Sequence, residues 1–295
     1  MSKAGIITLV GFPNAGKSSL LNRLVQNKLA AISPKPQTTR HNIPGIITRE
    51  DVQYIFIDTP GWVSKPKSAW HRALIHRSLS AMKDSDVQVW VLSLRQEVPV
   101  LPPEVEAILL KAQGLIGAFS HGDIISPQER HVQISTFQTQ LHPYPFKAWI
   151  DVSFDQPTNT LLNAIADLLP ESPFLYPVEE LSYLPVRFFV EELLRETIYT
   201  HLREEVPYGT EVQVTAYKET PTRDIISATI YVERNSHKLI VIGSKGAMIK
   251  KLGIDARKKI QNLIGKPVYL ELFVKVAPKW RHSSFYLRNL GYETF

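Results

Sequence analysis

The chain has 295 residues, no cysteine and a formal net charge of +6, with 44% hydrophobic and 21% charged residues. This length suggests about two domains that each bury a core. The absence of cysteine excludes a disulfide framework and a thiolate zinc site. No apolar run approaches the roughly 18 residues that span a bilayer, and the amino terminus lacks the pattern of a signal peptide. We therefore expect a cytoplasmic globular protein.

Residues 11–18 carry the first functional motif, Gly-Phe-Pro-Asn-Ala-Gly-Lys-Ser, directly after the apolar run at 6–10. A strand, a glycine loop and a helix start form the context that the G-x-x-x-x-G-K-[ST] phosphate loop requires. Its glycines let backbone amides point into one concavity, and the helix start adds further donors. Lys17 can reach the β- and γ-phosphates, and the Ser18 hydroxyl can ligate Mg²⁺. The residues expected to bind the nucleotide here are Gly11, Asn14, Ala15, Gly16, Lys17, Ser18 and Ser19.

Predicted strands and helices alternate over residues 1–169, which favours an α/β domain with a mostly parallel sheet covered on both faces. The predicted strands are 5–10, 45–49, 52–58, 87–94, 115–119 and 146–152, and the predicted helices are 17–26, 73–83, 103–113, 127–141 and 158–168.

Proline-rich sequence ends this alternation, and we place a linker at 170–184. The second domain, 185–295, mixes helices and strands in a different order, as expected for an α+β fold. Its predicted helices are 186–202, 247–264 and 283–290, and its predicted strands are 210–218, 225–233 and 267–276.

Positive charge is concentrated near the carboxyl terminus. Between Lys238 and Arg281 eleven Lys and Arg residues face only two acidic residues. Such a cluster is expected for a protein that binds nucleic acid or an anionic surface, and the alternative is a solvated helix face.

Two further segments complete a nucleotide switch. Asp58-Thr59-Pro60-Gly61 ends a predicted strand about 40 residues after the phosphate loop. Asp58 can hold Mg²⁺ through water, and the Gly61 amide can contact a γ-phosphate. Thr39 lies in the polar stretch between the two motifs and offers a hydroxyl for Mg²⁺ and the γ-phosphate.

Together these motifs resemble the TrmE–Era–EngA group of GTPases. The resemblance implies a P-loop GTPase domain that binds GTP or GDP with Mg²⁺. By this resemblance Lys17, Thr39 and Gly61 serve catalysis, and the metal is held by Ser18, Thr39 and Asp58. The loop asparagine holds a monovalent cation in some members, so stimulation by K⁺ through Asn14 is a hypothesis.

The segment Val241–Arg257 is similar to the KH domain of Era-type GTPases. In a G-x-x-G clamp the backbone approaches about four nucleotides closely. Lysines beside the clamp can neutralise phosphates. The expected RNA-binding residues are Gly243, Ser244, Lys245, Gly246, Lys250 and Lys251, with apolar walls near 225–230 and Ile249 contacting bases.

The predicted order of helix, two strands, helix and strand fits a type II KH domain. The resemblance covers essentially the whole chain. It implies a monomer that binds the 3′ end of 16S rRNA and acts in assembly of the small ribosomal subunit.

The guanine-reading motif departs from that family. Asn-Lys-x-Asp is replaced by Ser120-His121-Gly122-Asp123, and the following Ser-Ala-x element maps to Ser153-Phe154-Asp155. Asp123 can still accept from guanine N1–H and N2–H₂, whereas Ser120 is too short to reproduce the amide contacts of asparagine. Each lost contact costs about 1–2 kcal/mol, so we expect guanine preference with affinity weakened by about one to two orders of magnitude.

Trp62 follows Gly61 where some GTPases carry a water-orienting glutamine. An indole offers no acceptor for water, so we expect slow intrinsic hydrolysis.

Two alternatives to an RNA-binding GTPase remain at this point, together with one additional contact that is compatible with it. The chain could be an rRNA-binding assembly factor with a weakened or vestigial nucleotide site. It could use ATP, a reading that Asp123 disfavours. The basic cluster could also make peripheral contact with anionic lipid.

Overall fold

The computed structural model of the chain describes residues 2–64, 66, 68–98 and 100–292. Its contacts divide the chain into two units. The first consists of Met1–Ala30, Thr39–Pro66 and Leu74–Tyr183, and the second of Ala31–Thr38, Lys67–Ala73 and Leu184–Phe295.

The first unit is built on a six-stranded sheet in the order β2-β3-β1-β4-β5-β6. The strands are β1 (Lys3–Val10), β2 (Ile43–Arg49), β3 (Val52–Asp58), β4 (Val87–Ser93), β5 (Leu115–Ser120) and β6 (Phe146–Asp151). Only the β2–β3 pair is antiparallel, and every other pair in this sheet is parallel. The carboxyl ends of the parallel strands meet at one edge, where ligands bind in α/β sheets. The predicted mostly parallel sheet is confirmed.

Five helices accompany these strands: α1 (Lys17–Val25), α2 (Ala69–Lys83), α3 (Pro103–Leu109), α4 (Pro127–Gln140) and α5 (Asn159–Leu168). Helix α2 begins four residues before its predicted start. The Ser68 hydroxyl accepts the His71 N–H at 3.2 Å, a contact typical of a residue that caps a helix start. This local bond extends the helix over residues that the sequence pattern left irregular.

Residues 170–183 belong to the first unit. The buried Gln53 side chain on β3 accepts the backbone N–H groups of Leu175 and Tyr176 at 2.8 and 3.0 Å. Its amide also donates to the Tyr176 carbonyl at 2.8 Å. One side-chain amide therefore satisfies three backbone groups of a proline-rich segment that forms no regular element.

The second unit contains a three-stranded sheet in the order β7-β8-β9. Its elements are α6 (Val186–His201), β7 (Thr210–Glu219), β8 (Asp224–Val232), α7 (Asn235–Ile242), α8 (Ala247–Ile264), β9 (Val268–Val276) and α9 (Ser284–Asn289). β8 pairs antiparallel with β7 and parallel with β9. Its apolar core is formed by one face of the sheet and by α6, α7 and α8, with Val190, Ile226, Ile230, Val241 and Ile260 fully buried.

The segment 31–38 is held within the second unit by α6. Lys35 donates through Nζ to the backbone carbonyls of Tyr199 and Leu202, at the carboxyl end of α6. A cation is favoured there by the helix dipole and by the unpaired carbonyls. The Ile32 N–H donates to Glu196 Oε2 at 3.3 Å. These contacts anchor the chain just before Thr39.

Candidate nucleotide site and RNA-binding loop

The phosphate loop leaves the end of β1 and enters α1 as predicted. Gly11 has φ +141°, and a Cβ there would lie 2.5 Å from the Val91 carbonyl oxygen. Only glycine fits at that position, because β4 passes directly beside the loop. Gly16 precedes α1 with φ +90°. The first-turn amides of α1 therefore open onto the loop and can bind an anion.

Lys17 is buried, and its ammonium donates to the carbonyls of Gly11 and Phe12 at 3.0 and 2.9 Å. Burial lowers the pKa of Lys17 to about 8, and the Asp58 carboxylate opposes this shift. The side chain thus lies folded over the loop, where a phosphate can replace the two carbonyls as its partner.

Three side-chain oxygens converge beside the loop. Ser18 Oγ donates to Asp58 Oδ2 at 2.6 Å and lies 2.8 Å from Thr39 Oγ1. Thr39 Oγ1 also lies 3.4 Å from Asp58 Oδ2. A compact set of hydroxyl and carboxylate oxygens is the donor chemistry that Mg²⁺ prefers, so the cluster fits the metal that the motifs imply.

Gly61 lies against the phosphate loop, since a Cβ there would be 2.7 Å from the Pro13 backbone nitrogen. The next residue, Trp62, is 1% exposed and donates through Nε1 to Ser78 Oγ at 2.9 Å. Its indole packs edge-on against Phe12, 5.7 Å between ring centroids. Trp62 is therefore a core residue, and its side chain presents no acceptor for a water molecule.

Ser120 contacts the phosphate loop directly. Its hydroxyl donates to the Ala15 carbonyl at 2.7 Å, with a longer contact of 3.3 Å to the Leu92 carbonyl. We expected Ser120 to be too short to replace the amide contacts of an asparagine, yet it reaches the loop. The loop and the end of β5 are thus joined by one short hydrogen bond.

The residues that we expect to read the base lie at the carboxyl ends of β5 and β6. Asp123 is exposed, and its Oδ1 accepts the Phe154 backbone N–H at 3.2 Å. A free backbone N–H at this position could donate to the O6 acceptor of guanine. Ser153 is buried and accepts the Gly122 N–H at 2.7 Å, whereas the Phe154 ring is 81% exposed.

Two of the predicted ligands lie at the rim of the loop. Asn14 is exposed and has φ +60°, a left-handed conformation that asparagine tolerates better than most residues. Ser19 is exposed in the first turn of α1.

The predicted RNA-binding loop connects α7 to α8. Gly243 and Gly246 both have positive φ, and a Cβ on Gly243 would lie 2.7 Å from Met248 Cβ. Ser244 and Lys245 form the exposed turn between them. Lys250 and Lys251 are exposed in the first turns of α8. The structure therefore brings the six predicted RNA-binding residues together on one loop and helix start.

The apolar surface near this loop differs in part from the predicted one, in which Ile225 and Ile249 are half-buried. Ile226 and Ile230 are fully buried and cannot contact a base. Exposed apolar side chains are instead supplied by Leu239 and Ile240 on α7, which are 71% and 48% exposed, and by Ile254 on α8. Sequence reasoning missed α7; the apolar run 239–242 ending at a glycine was the available signal.

Comparisons with known proteins agree with this geometry. The family described as 50S ribosome-binding GTPase matches residues 6–116, and the KH domain family matches residues 205–281. A protein of Trichlorobacter lovleyi described as GTPase Era is 38% identical over 99% of this chain and 98% of its own length. The chain belongs to the Era family of GTPases. Another Era protein, from Nitratidesulfovibrio vulgaris, is 37% identical over 98% of this chain and 96% of its own length.

Two solved Era structures match over nearly the whole chain. A variant of Aquifex aeolicus Era bound to GDP·AlF₄⁻ gives a TM-score of 0.91 at 31% identity and covers 98% of this chain and 99% of its own. Era in complex with MgGDPNP and nucleotides 1506–1542 of 16S ribosomal RNA gives 0.93 at 30% identity, with 99% of both chains covered. The resemblance and the fold class inferred from the motifs, a GTPase domain followed by a KH domain, are confirmed. In the part of the chain that the structure describes, no helix has the length and apolarity to cross a membrane.

Proposed function

We propose that this chain is an RNA-binding GTPase that binds and hydrolyses GTP with Mg²⁺, binds the 3′ end of 16S rRNA through its KH domain, and acts in small ribosomal subunit assembly. The observation that carries this proposal is the oxygen cluster of Ser18, Thr39 and Asp58 beside the phosphate loop. The chain belongs to the Era family and also has the glycine clamp at 243–246. The Era relatives bound to GDP·AlF₄⁻, MgGDPNP and 16S rRNA nucleotides support it.

Each residue of the nucleotide site has a role that follows from its position. The Lys17 ammonium leaves the carbonyls of Gly11 and Phe12 to pair with the β- and γ-phosphates. Ser18, Thr39 and Asp58 would hold Mg²⁺, and the bound metal would supply positive charge to the phosphate oxygens. The Gly61 amide faces the γ-phosphate.

Hydrolysis is slow in the absence of a partner, because buried Trp62 does not orient water. Nucleotide state orders or releases the segments around Thr39 and Gly61, which changes how the KH domain meets RNA.

Multiple-turnover hydrolysis with and without a short single-stranded rRNA fragment tests the proposal. We expect slow Mg²⁺-dependent release of phosphate that requires Lys17, and Lys17→Ala should weaken nucleotide binding by at least about tenfold because charge-assisted hydrogen bonds are lost. Absence of turnover both with and without RNA would contradict the proposal that the chain is a GTPase.

A second candidate is an rRNA-binding assembly factor whose nucleotide site is weakened. It is favoured by the hydrogen bond between the Phe154 N–H and Asp123, since a bound guanine competes for both groups. Titration of labelled GDP and ADP separates the candidates. A clear preference for GDP supports base reading by Asp123, and equal affinities contradict it.

Potassium dependence is a separate proposal that rests on exposed Asn14 in the loop. A comparison of kcat for GTP hydrolysis in K⁺ and Na⁺ buffers tests this proposal, and equal rates would contradict it.

The domain division into 1–169, a linker at 170–184 and 185–295 is likewise a proposal, as are the monomeric state and the cytoplasmic location. The basic cluster between Lys238 and Arg281 suggests peripheral contact with anionic lipid. Flotation with phosphatidylserine vesicles against neutral vesicles tests that contact.

A further inference from the structure

The second position of the expected Asn-Lys-x-Asp motif is occupied by a histidine, His121, in this chain. His121 stands where the family places lysine, at the carboxyl end of β5 and two residues before Asp123. Its backbone is left-handed, with φ +64° and ψ +20°, and it begins the short helical turn Gly122–Ile124. This conformation is uncommon outside glycine, although histidine adopts it more often than most residues.

Two hydroxyls hold the imidazole. Nδ1 lies 2.9 Å from Ser93 Oγ and 3.3 Å from Ser120 Oγ. Ser120 in turn donates to the Ala15 carbonyl of the phosphate loop at 2.7 Å. The ring is thereby linked through one residue to the loop that binds phosphate.

The Cε1 atom, which is bonded to Nδ1, faces Gly16 at the start of α1. A Cβ built on Gly16 would lie 3.6 Å from His121 Cε1. The ring is therefore next to Gly16 of the phosphate loop, and His121 precedes Asp123 by two residues, so a nucleotide that contacts both the loop and Asp123 has this ring as a neighbour.

We propose that His121 is a nucleotide-binding residue whose imidazole packs against the guanine base and binds it more strongly when the ring is protonated. This inference rests on the proposed nucleotide site. A planar imidazole ring provides a surface on which a base can stack, and a positive ring adds cation–π attraction to the base. The same charge attracts the nucleotide phosphates.

Charged groups near the ring set the direction of the pH effect. In the free protein burial lowers the pKa of His121 below its ordinary 6.5, Asp123 acts to raise it and Arg95 adds to the lowering. The ring is therefore mostly neutral at pH 7 before binding. A base and polyphosphate favour the charged form, so binding takes up protons. By linkage, affinity falls as pH rises between the pKa of the free protein and the higher pKa of the complex.

Titration of labelled GDP between pH 5.5 and 8 tests the inference with the full chain. Between pH 8 and pH 5.5, protonation of the GDP β-phosphate alone changes the affinity by some amount. The affinity of the wild type at pH 5.5 should be about threefold to tenfold higher than that change accounts for. His121→Ala and His121→Gln should lose this excess, and Ala should also bind more weakly at every pH. His121→Lys should lose the pH dependence yet bind at pH 8 at least as tightly as the wild type, because its charge is permanent in this range.

His131→Ala serves as the matched control, since His131 is exposed on α4. The β-phosphate titrates in every variant, so only differences between variants are interpreted, and thermal unfolding checks that each variant is folded. Identical pH profiles for wild type and both His121→Ala and His121→Gln overturn the inference while leaving the GTPase proposal intact. Failure of the wild type to bind GDP or GTP at any pH instead overturns the proposed function.

Discussion

Asp58 is the residue on which the proposed metal site depends most, because its fully buried carboxylate contacts both Ser18 and Thr39. Asp58→Asn keeps the shape of the side chain and removes its charge. We expect the Mg²⁺ concentration for half-maximal GTP hydrolysis to rise by about 10–100-fold, the usual cost of losing a partner that orients metal ligands. Mg²⁺ titration of the hydrolysis rate measures this.

The exposed Asp51, in the turn between β2 and β3, provides the control. Asp51→Asn makes the same chemical change away from the site and should leave the Mg²⁺ requirement unaltered. An unchanged requirement in Asp58→Asn would show that the carboxylate does not act on the metal.

Single residues of the phosphate and metal site were predictable because their spacing along the chain reflects a local backbone requirement. Lys17 and Ser18 follow a glycine at a helix start, and Asp58 ends a strand next to β1. The base end was less predictable. Whether Ser120 reaches the Ala15 carbonyl depends on the distance between β5 and the loop, which sequence does not encode locally. The hydrogen bond from Phe154 to Asp123 joins two strand ends in the same way.

At the level of elements, α6 carries a half-buried acid, Glu191, that makes the stability of the second unit depend on pH. Burial raises the pKa of Glu191 to about 7, while the Val214 N–H, 2.7 Å away, and Arg195 oppose the shift and Glu211 and Glu192 add to it. A raised pKa in the folded state means that stability is greatest below the unfolded value near 4.5 and is lost as pH rises through 7.

Glu191→Gln should remove this dependence, because the amide oxygen still accepts the Val214 N–H without a charge. We expect the melting temperature of the variant to match the wild type near pH 4.5 and to exceed it by roughly 5 °C at pH 8. Thermal unfolding followed at several pH values measures the difference. Parallel curves for the two proteins would contradict a titrating Glu191.

The contact of segment 31–38 with α6 gives a second prediction for this helix. Lys35→Ala removes the ammonium that pairs with the Tyr199 and Leu202 carbonyls. Amide hydrogen exchange should accelerate in segment 31–38, since local opening costs less when its anchor is gone. Lys83→Ala, at the exposed end of α2, should leave exchange in the segment unchanged. Equal protection of segment 31–38 from amide exchange in the wild type and in Lys35→Ala would mean that the Lys35 ammonium does not anchor this segment.

Elements were predictable where hydrophobic periodicity and a clear breaker coincided. Helix α8 has its predicted bounds because glycines flank both ends, Gly246 and Gly265. Helix α7 was missed because the apolar run 239–242 resembles a strand, and only its packing on the sheet, with Val241 fully buried, selects the helix. Tertiary contacts therefore determine that this segment is a helix, which the local sequence pattern alone did not.

For the whole molecule, the uneven charge determines how RNA binding responds to salt. Each phosphate of a single strand that the protein neutralises adds about 0.7 to the magnitude of the slope of log K against log salt. Lys245, Lys250 and Lys251 are exposed beside the glycine clamp. Replacing all three with Gln should lower that slope by about 2 and weaken binding of a single-stranded 16S 3′-end fragment. Filter binding or fluorescence anisotropy from 50 to 300 mM KCl measures both.

The matched variant is Lys111→Gln in the first unit, which removes an exposed lysine outside the basic cluster. Its salt slope should equal that of the wild type, because the cluster between Lys238 and Arg281 carries the positive excess of the chain. If the triple variant loses RNA affinity but keeps the wild-type slope of log K against log salt, these lysines contribute to folding or to base contacts and not to phosphate binding. A triple variant that changes neither would exclude the face formed by the clamp and the start of α8 as the RNA-binding surface.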